Sequence, residues 1–176
     1  MPMTRRASLA LVPMLVLALG GCVSDGTKNA KNDPLPRMSQ EKAQAWAKHW
    51  TESMARTAKA EIVSSTHQAN FTNCPGKNGE SANDGRYTLS YDVRAKLPKA
   101  EHATGIRAIT DELKAQGFRI VGSRADASAG RGGYLVQAEH PTDRQYVSAG
   151  DVSDDLISLG VNTPCLLPPG VEQQEF

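Results

Sequence analysis

The chain has 176 residues, of which 39% are hydrophobic, 22% charged and 5% aromatic. This length and apolar content are enough for one domain with one modest core, and they exclude a wholly disordered chain. The 20 Lys and Arg residues against 19 Asp and Glu residues give a formal net charge of +1, which excludes the strong positive field that nucleic-acid binding requires, so we predict no nucleic-acid partner.

The first 21 residues have the organisation of an export signal. Arg5 and Arg6 form a short positive segment, and an apolar run follows from Leu9 to Leu19. A membrane-spanning helix needs roughly 20 apolar residues, so this shorter run is typical of a cleavable signal peptide. We therefore predict a signal peptide over residues 1–21. The pair of arginines does not decide between the Sec and twin-arginine export pathways.

The apolar run ends in Leu19-Gly20-Gly21-Cys22, where two small residues precede a cysteine. Together with the segments before it, this motif resembles the lipobox of bacterial lipoprotein precursors. The resemblance implies that Leu19, Gly20 and Gly21 are recognised by a signal peptidase of type II. It also implies that Cys22 becomes the mature N-terminus, with a diacylglycerol on its thiol and often a fatty acyl group such as palmitate on its amine. An ordinary signal peptide with a chance cysteine near its cleavage site stays open as the alternative.

Residues 22–38 are predicted to be the lipidated N-terminus and a flexible tether. The segment is rich in Ser, Gly, Asn, Asp, Lys and Pro and poor in large apolar side chains, so it cannot bury enough surface to offset its ordering entropy. The expected location is the extracytoplasmic face of the cell membrane, which the chain contacts through its lipid. Residues 39–176 are predicted to form a single α+β domain with an irregular tail.

The apolar periodicity of this domain indicates two helices and several strands. In chain order it predicts a helix from Ser39 with an apolar stripe to Ile62, strands at 70–74 and 87–97, a helix at 99–116, and strands at 118–124, 133–139, 144–149 and 156–161. We predict an α+β fold with two helices on one face of a mainly antiparallel sheet of about five strands, in the order α-β-β-α-β-β-β. Trp46 and Trp50 lie on the helical stripe, which favours a core position over a ligand pocket.

Cys74 and Cys165 remain as an even pair once Cys22 is acylated. In an oxidising compartment such a pair forms a disulfide by default. The bond would close a loop of about 90 residues and stabilise the fold by roughly 4–5 kcal/mol in the chain-entropy model. No His or further Cys stands at ligand spacing beside either residue, so we do not interpret them as catalytic or metal-binding thiols.

The domain combines a long helix, a strand ending in Cys-Pro-Gly, a Tyr-rich strand, a second helix that ends before a Gly-aromatic pair, and a final strand ending in Pro-Cys. This layout resembles small actinobacterial lipoproteins of the LppA-like kind over most of residues 39–170. The resemblance rests on layout and includes no catalytic signature. It implies a cell-envelope lipoprotein of unassigned biochemical activity.

Three sequence patterns that can indicate a catalytic or metal-binding site have simpler structural interpretations here. Ser39-Gln40-Glu41-Lys42 matches the Ser-x-x-Lys pattern of penicillin-binding enzymes, but the Ser-Asp-Asn-like and Lys-Thr-Gly-like elements that those enzymes require are missing. The dispersed histidines form no metal-ligand motif, and the acid-rich turn 151–155 lacks EF-hand spacing. We therefore predict no catalytic residue, no metal site and no cofactor. The four histidines are His49, His67, His102 and His140.

Three functions remain for the domain. The first is a non-catalytic binding or accessory module that contacts an unknown envelope protein or ligand through its sheet face or its polar loops 75–86 and 125–132. These loops carry Lys77, Arg86, Arg124 and Arg131. The second is an envelope enzyme, a hydrolase acting on cell-wall or peptide substrates, in which a His and a carboxylate distant in sequence converge in a deep pocket. The third is a purely structural envelope lipoprotein. The absence of catalytic spacing in the sequence favours the first.

Overall fold

The computed structural model describes residues 33–76, 78–124 and 133–175. The predicted signal peptide, Cys22 and most of the predicted tether therefore lie outside the described residues. Within the described part, no helix is both long enough and apolar enough to cross a membrane.

The described chain contains two α-helices, a short 3₁₀ helix and seven strands. They are α1 (Gln40–Ala58), β1 (Glu61–Ile62), the 3₁₀ helix (Ser64–Thr66), β2 (Gln68–Asn73), β3 (Tyr87–Lys96), α2 (Lys99–Ala115), β4 (Arg119–Arg124), β5 (Leu135–Glu139), β6 (Tyr146–Ser153) and β7 (Leu156–Asn162). The predicted α+β class is confirmed. The predicted count of about five strands and the order α-β-β-α-β-β-β are wrong, because three strands precede α2 and four follow it. The order left out one of the four strand ranges that the periodicity indicates after α2, and β1 was not predicted.

The end of α1 explains one of the extra strands. Ser39 caps the helix start by accepting a hydrogen bond from the Lys42 backbone at 3.3 Å, and the helix ends at Lys59, whose φ of 58° is left-handed. Because the chain leaves the helix there, Ile62 belongs to β1 rather than to the helical stripe. A helix end formed by a left-handed residue other than glycine is difficult to predict from a sequence.

All strand pairs in the sheet are antiparallel. The order across the sheet is β1-β3-β7-β6-β5-β4, and β2 pairs with the same edge of β3 as β1 does. Side chains along β3 alternate between buried and more exposed positions, so one face of the sheet lies on the core. Helix α1 packs against β3 and β7, and α2 packs against β4, β5 and β6. The other face presents mostly polar side chains.

The two helices also contact each other closely at Gly105. A Cβ atom added at Gly105 would lie 2.8 Å from a methyl carbon of Leu97 and 3.3 Å from the Cβ of Ala58. The absence of a side chain at this position therefore lets α2 approach α1 and the start of its own helix.

The segment after β7 is part of the core although it contains only isolated bridges. Leu166 and Leu167 are 1% and 0% exposed, and Leu166 exchanges backbone hydrogen bonds with Tyr87 at 2.7 and 2.9 Å. The Arg37 side chain donates to the backbone oxygen of Val171. Residues 33–38, the last part of the predicted tether, thus contact the tail of the domain.

The predicted disulfide is present between Cys74 and Cys165, whose Cα atoms lie 6.0 Å apart. It joins the end of β2 to the segment that follows β7. Since β2 pairs with β3 and β3 pairs with β7, the bond connects two segments that the sheet already brings close together.

Candidate functional site

A buried histidine and a carboxylate do meet in the structure, as the enzyme hypothesis requires. The His102 side chain is 1% exposed. Its Nε2 atom lies 2.7 Å from the Leu97 carbonyl oxygen, to which it donates, and its Nδ1 atom lies 3.1 Å from Asp151 Oδ1, without hydrogen-bond alignment. Both ring nitrogens therefore face acceptors within the fold, which leaves neither one for a substrate. We interpret the pair as a contact between α2 and β6.

The remaining histidines are separate from one another. His140 Nδ1 lies 3.3 Å from Asp143 Oδ2, His67 Nδ1 lies 3.3 Å from the Tyr91 hydroxyl, and His49 contacts the Trp50 ring. In residues 33–76, 78–124 and 133–175, no three His, Cys, Asp or Glu side chains are grouped as potential metal ligands. The acidic residues of the turn 151–155 also have separate partners, because Asp151 faces His102 and Asp154 faces Lys99.

The tryptophan pair belongs to the packing between helix and sheet. The Trp46 and Trp50 ring centroids are 5.8 Å apart. Trp50 packs edge to face against Phe118, with 4.6 Å between the ring centroids. Both tryptophans are half-buried against the core cluster. This agrees with the core interpretation of the helical stripe.

Two surface pockets carry balanced charge. The larger, of about 700 Å³, lies beside the end of α1 and is lined by two lysines and two acids among other residues. Two of these, Lys96 and Glu61, form an ion pair at 3.9 Å. A groove of about 230 Å³ between the helices has one lysine and one glutamate in its lining. Neither pocket presents an excess of charge to a ligand.

A third pocket has an excess of positive charge, and we call it the α2 cleft. It is a cleft of about 230 Å³ between α2 and the facing ends of β4 and β5. Among the described residues, three cations and one acid line it. The lining residues are Ala103, Ile106, Arg107, Thr110, Asp111, Lys114, Ser123, Arg124, Tyr134 and Leu135.

Helix α2 supplies one wall of the α2 cleft. Arg107, Thr110, Asp111 and Lys114 occupy positions i, i+3, i+4 and i+7, which lie on one face of a helix. The neighbouring face carries buried Ile109 and its apolar companions, so packing against the sheet fixes which way the charged face points. Helix register alone therefore brings Arg107 and Lys114 to the same cleft.

The β4–β5 pair supplies the opposite wall. Arg124 and Leu135 are cross-strand partners, and Ser123 is paired with Val136 in the next step of the register. Val136 is fully buried on the helix side of the sheet, and antiparallel partners share a face. The Ser123 side chain therefore lies on the side of the sheet that α2 covers. Tyr134 stands two residues before Val136, so its side chain lies on this same side. Arg124 and Leu135 are each one residue away from these positions, so their side chains are directed to the other face of the sheet, at the edge of the cleft.

Several hydrogen-bond donors in the cleft have no partner among the described residues. The Arg107 guanidinium and the hydroxyls of Ser123 and Tyr134 make neither a hydrogen bond nor an ion pair in this part of the chain. Thr110 instead donates to the Ile106 carbonyl oxygen at 2.7 Å. Lys114 Nζ lies 4.0 Å from Asp111 Oδ1, and both groups are largely exposed, so this pair is weak.

Other arginines of the sheet are already engaged by carboxylates. Arg94 donates to Asp92 Oδ1 at 2.6 Å, and Arg119 donates to the buried carboxylate of Glu139. Compared with these residues, Arg107 offers an exposed guanidinium whose donors are directed to solvent and the cleft. The pocket with an excess of positive charge is thus also the one with hydrogen-bond donors that have no partner in the described part of the chain.

Sequence reasoning located part of this site. Arg124 was predicted to lie at a recognition surface beside loop 125–132, and it lines the cleft. The Arg86 of the other polar loop is 2% exposed and cannot serve as a surface contact. Arg107 and Lys114 were missed because only the inward face of α2 was interpreted. These two cations are seven residues apart, a spacing that places them on one face of a helix, and this spacing was the sign in the sequence that could have identified them. Lys77 and Arg131 lie outside the described residues.

Comparison with known proteins adds no family assignment. The chain matches no model of a known protein family, and no curated protein is significantly similar to it in sequence.

Proposed function

We propose that this chain is a lipid-anchored lipoprotein on the extracytoplasmic face of the cell membrane, and that its domain is a non-catalytic binding or accessory module of the cell envelope. The observation that carries the proposal is the order of a positive segment, an apolar run and Leu19-Gly20-Gly21-Cys22. Its partners are the membrane, through the lipid on Cys22, and an envelope protein or ligand that contacts the domain.

The disulfide supports the extracytoplasmic part of the proposal. Structural disulfides persist in oxidising compartments and are rare in the reducing cytosol of most organisms. The Cys74–Cys165 bond lies between segments that the sheet holds together, and Cys74 is 6% exposed. A chain that relies on such a bond is suited to a location outside the cytoplasm.

The α2 cleft supports the binding part of the proposal. It combines a net positive charge with unused donors on a rigid frame of helix and sheet. Rigid elements that present convergent polar groups are the usual setting for ligand recognition. By contrast, the His102 ring is 1% exposed, its Nε2 donates to the Leu97 carbonyl oxygen, and its Nδ1 lies 3.1 Å from Asp151 Oδ1 within the fold, which favours a structural role for the one His–carboxylate pair that the described part buries.

Metabolic labelling with an alkyne fatty acid tests the anchor. We expect the full chain to incorporate the label and the Cys22→Ser variant to incorporate none, because the serine hydroxyl does not replace the thiol in the lipid transfer that the lipobox implies. The Ser24→Ala variant is the matched control, since it changes a residue two positions away and should be labelled like the parent chain. Equal labelling of Cys22→Ser and the parent would contradict the proposal.

A further inference from the structure

We propose that the α2 cleft binds a phosphate group, with Arg107 as its principal contact. This inference rests on the proposed function as a binding module and names the chemical class of its ligand. It uses only the described walls of the cleft, which α2 and the β4–β5 pair provide.

Charge is the first argument. Arg107 and Lys114 on α2 face the cleft together with one acid, Asp111, which gives a formal net charge of +1 for the described charged side chains on this side of the sheet. A phosphate monoester carries a charge of about −1.5 to −2 at neutral pH, which is opposite in sign to this lining. The other two pockets, with equal numbers of cations and acids, offer no comparable attraction.

The kind of donor is the second argument. An arginine guanidinium presents a planar set of N–H donors that fits two oxygens of a phosphate or a carboxylate. The hydroxyls of Ser123 and Tyr134 are additional single donors with no partner in the described part of the chain. A phosphate monoester has three terminal oxygens and a carboxylate has two, so this combination favours phosphate.

The size of the cleft is the third argument. Sites for drug-sized ligands have volumes of about 300–1,000 Å³, and the α2 cleft has about 230 Å³. It therefore accommodates a charged group with a few attached atoms rather than a whole large ligand. Ala103 and Ile106 provide apolar surface beside the donors, where the carbon atoms next to the phosphate would lie.

The phosphate could belong to a soluble phosphomonoester or to a lipid headgroup, and the chemistry of the contact is the same. Calorimetric titration of the full chain, in detergent micelles, with inorganic phosphate and glycerol 3-phosphate tests the contact itself. Repeating the glycerol 3-phosphate titration on chain reconstituted in phosphatidylcholine vesicles, with and without phosphatidate, separates the two sources. A headgroup that occupies the cleft will weaken the apparent affinity for the soluble probe.

The Arg107→Gln variant is the decisive one, and Arg56→Gln is its control. Arg56 is an exposed helical arginine that does not line the cleft, so both variants lose the same charge. We expect Arg107→Gln to weaken binding of glycerol 3-phosphate by about tenfold or more, the scale of one charge-assisted hydrogen-bonded contact, and Arg56→Gln to change it by less than about twofold. Tyr134→Phe keeps the ring and removes only the hydroxyl, and it should give a smaller loss.

Three results would overturn the inference. They are the absence of measurable binding of either phosphate probe, equal weakening by the two arginine variants, and binding of acetate as tight as that of phosphate. None of them bears on the anchor, because fatty-acid labelling of Cys22 is measured separately. If the chain takes up no fatty-acid label but binds the phosphate probes, it has a phosphate site and no lipid anchor.

Discussion

Arg86 illustrates how its surroundings decide the role of a single residue. Its position in a polar loop suggests an exposed cation, yet its side chain is 2% exposed and lies against the fully buried carboxylate of Asp84. Arg86 Nε donates to both oxygens of Asp84 at 2.9 and 3.0 Å. Asp84 also accepts from the Gln174 backbone at 3.0 Å, so the pair binds the tail of the domain to the start of β3.

The Asp84→Asn variant should be strongly destabilised. The substitution leaves the Arg86 guanidinium buried without its counter-charge, and breaking a buried pair in this way typically costs about 3–5 kcal/mol. We expect urea denaturation to show a loss on this scale in the free energy of unfolding. Asp111→Asn, which alters an exposed pair with Lys114, is the matched control and should change the free energy by less than about 1 kcal/mol.

The same pair predicts a pH dependence. Hydrogen bonds from Arg86 hold the pKa of the Asp84 carboxyl well below its usual range. A carboxyl with a lowered pKa in the folded state contributes stability above its unfolded pKa of about 3.9 and loses it as the pH falls below that value. The difference in unfolding free energy between the parent and Asp84→Asn should therefore be constant from pH 7 to about 5 and decline towards pH 2. A difference that grew in acid would contradict this assignment.

At the scale of elements, periodicity predicted the regular parts of the fold well. Strand β3 was predicted at 87–97 from strict alternation and spans Tyr87–Lys96, and α2 was predicted at 99–116 and spans Lys99–Ala115. In both elements the apolar periodicity continues over many residues. By contrast, β1 has two residues, too few for any period, and it forms only because Glu61 and Ile62 meet the end of β3.

The candidate site shows why local patterns are insufficient. The sequence places Arg107 and Lys114 on one helix face, but only tertiary packing decides that β4 and β5 lie opposite them. The same holds for His102 and Asp151, which are far apart in the chain and were interpreted separately as a dispersed histidine and part of an acid-rich turn. Contacts of this kind depend on the sheet order β7-β6-β5-β4, which periodicity does not specify.

Removal of the disulfide tests how strongly it supports the strands. Its two cysteines are 91 positions apart, and replacing both by alanine should lower the free energy of unfolding by about 2–5 kcal/mol, chiefly because the unfolded chain gains entropy. Urea denaturation of the Cys74→Ala, Cys165→Ala double variant measures this loss. A thiol reductant should destabilise the parent chain by a similar amount and leave the double variant unaffected. Equal stability of the parent and the variant would contradict a structural role for the bond.

In the proposed arrangement, a rigid domain is joined to the membrane through a short segment. The described chain contacts the tail of the domain from its first residue, because the Gln173 side chain donates to the Asp33 carbonyl oxygen at 3.0 Å and accepts from the Leu35 backbone at 2.9 Å. Of the predicted tether, residues 22–32 remain beyond the described part. If these residues form the proposed tether, a segment of that length would span roughly 20 Å on average, and the α2 cleft would lie close to the membrane surface.

Two acyl chains are enough to make such an attachment stable. Each buried CH₂ group contributes about 0.8 kcal/mol, and stable anchoring generally needs two chains or a second signal. The protein has near-zero net charge and therefore gains little from anionic headgroups. The proposed lipid on Cys22 would therefore provide most of the attachment.

The intact mass of the mature chain, isolated from membranes, tests that attachment most directly. We expect a polypeptide that begins at Cys22, with the 155 residues left when the 21-residue signal is removed from 176. Its mass should include a diacylglycerol and any fatty acyl group on the amine. A mature chain that begins at another residue, or that begins at Cys22 without lipid, would contradict it.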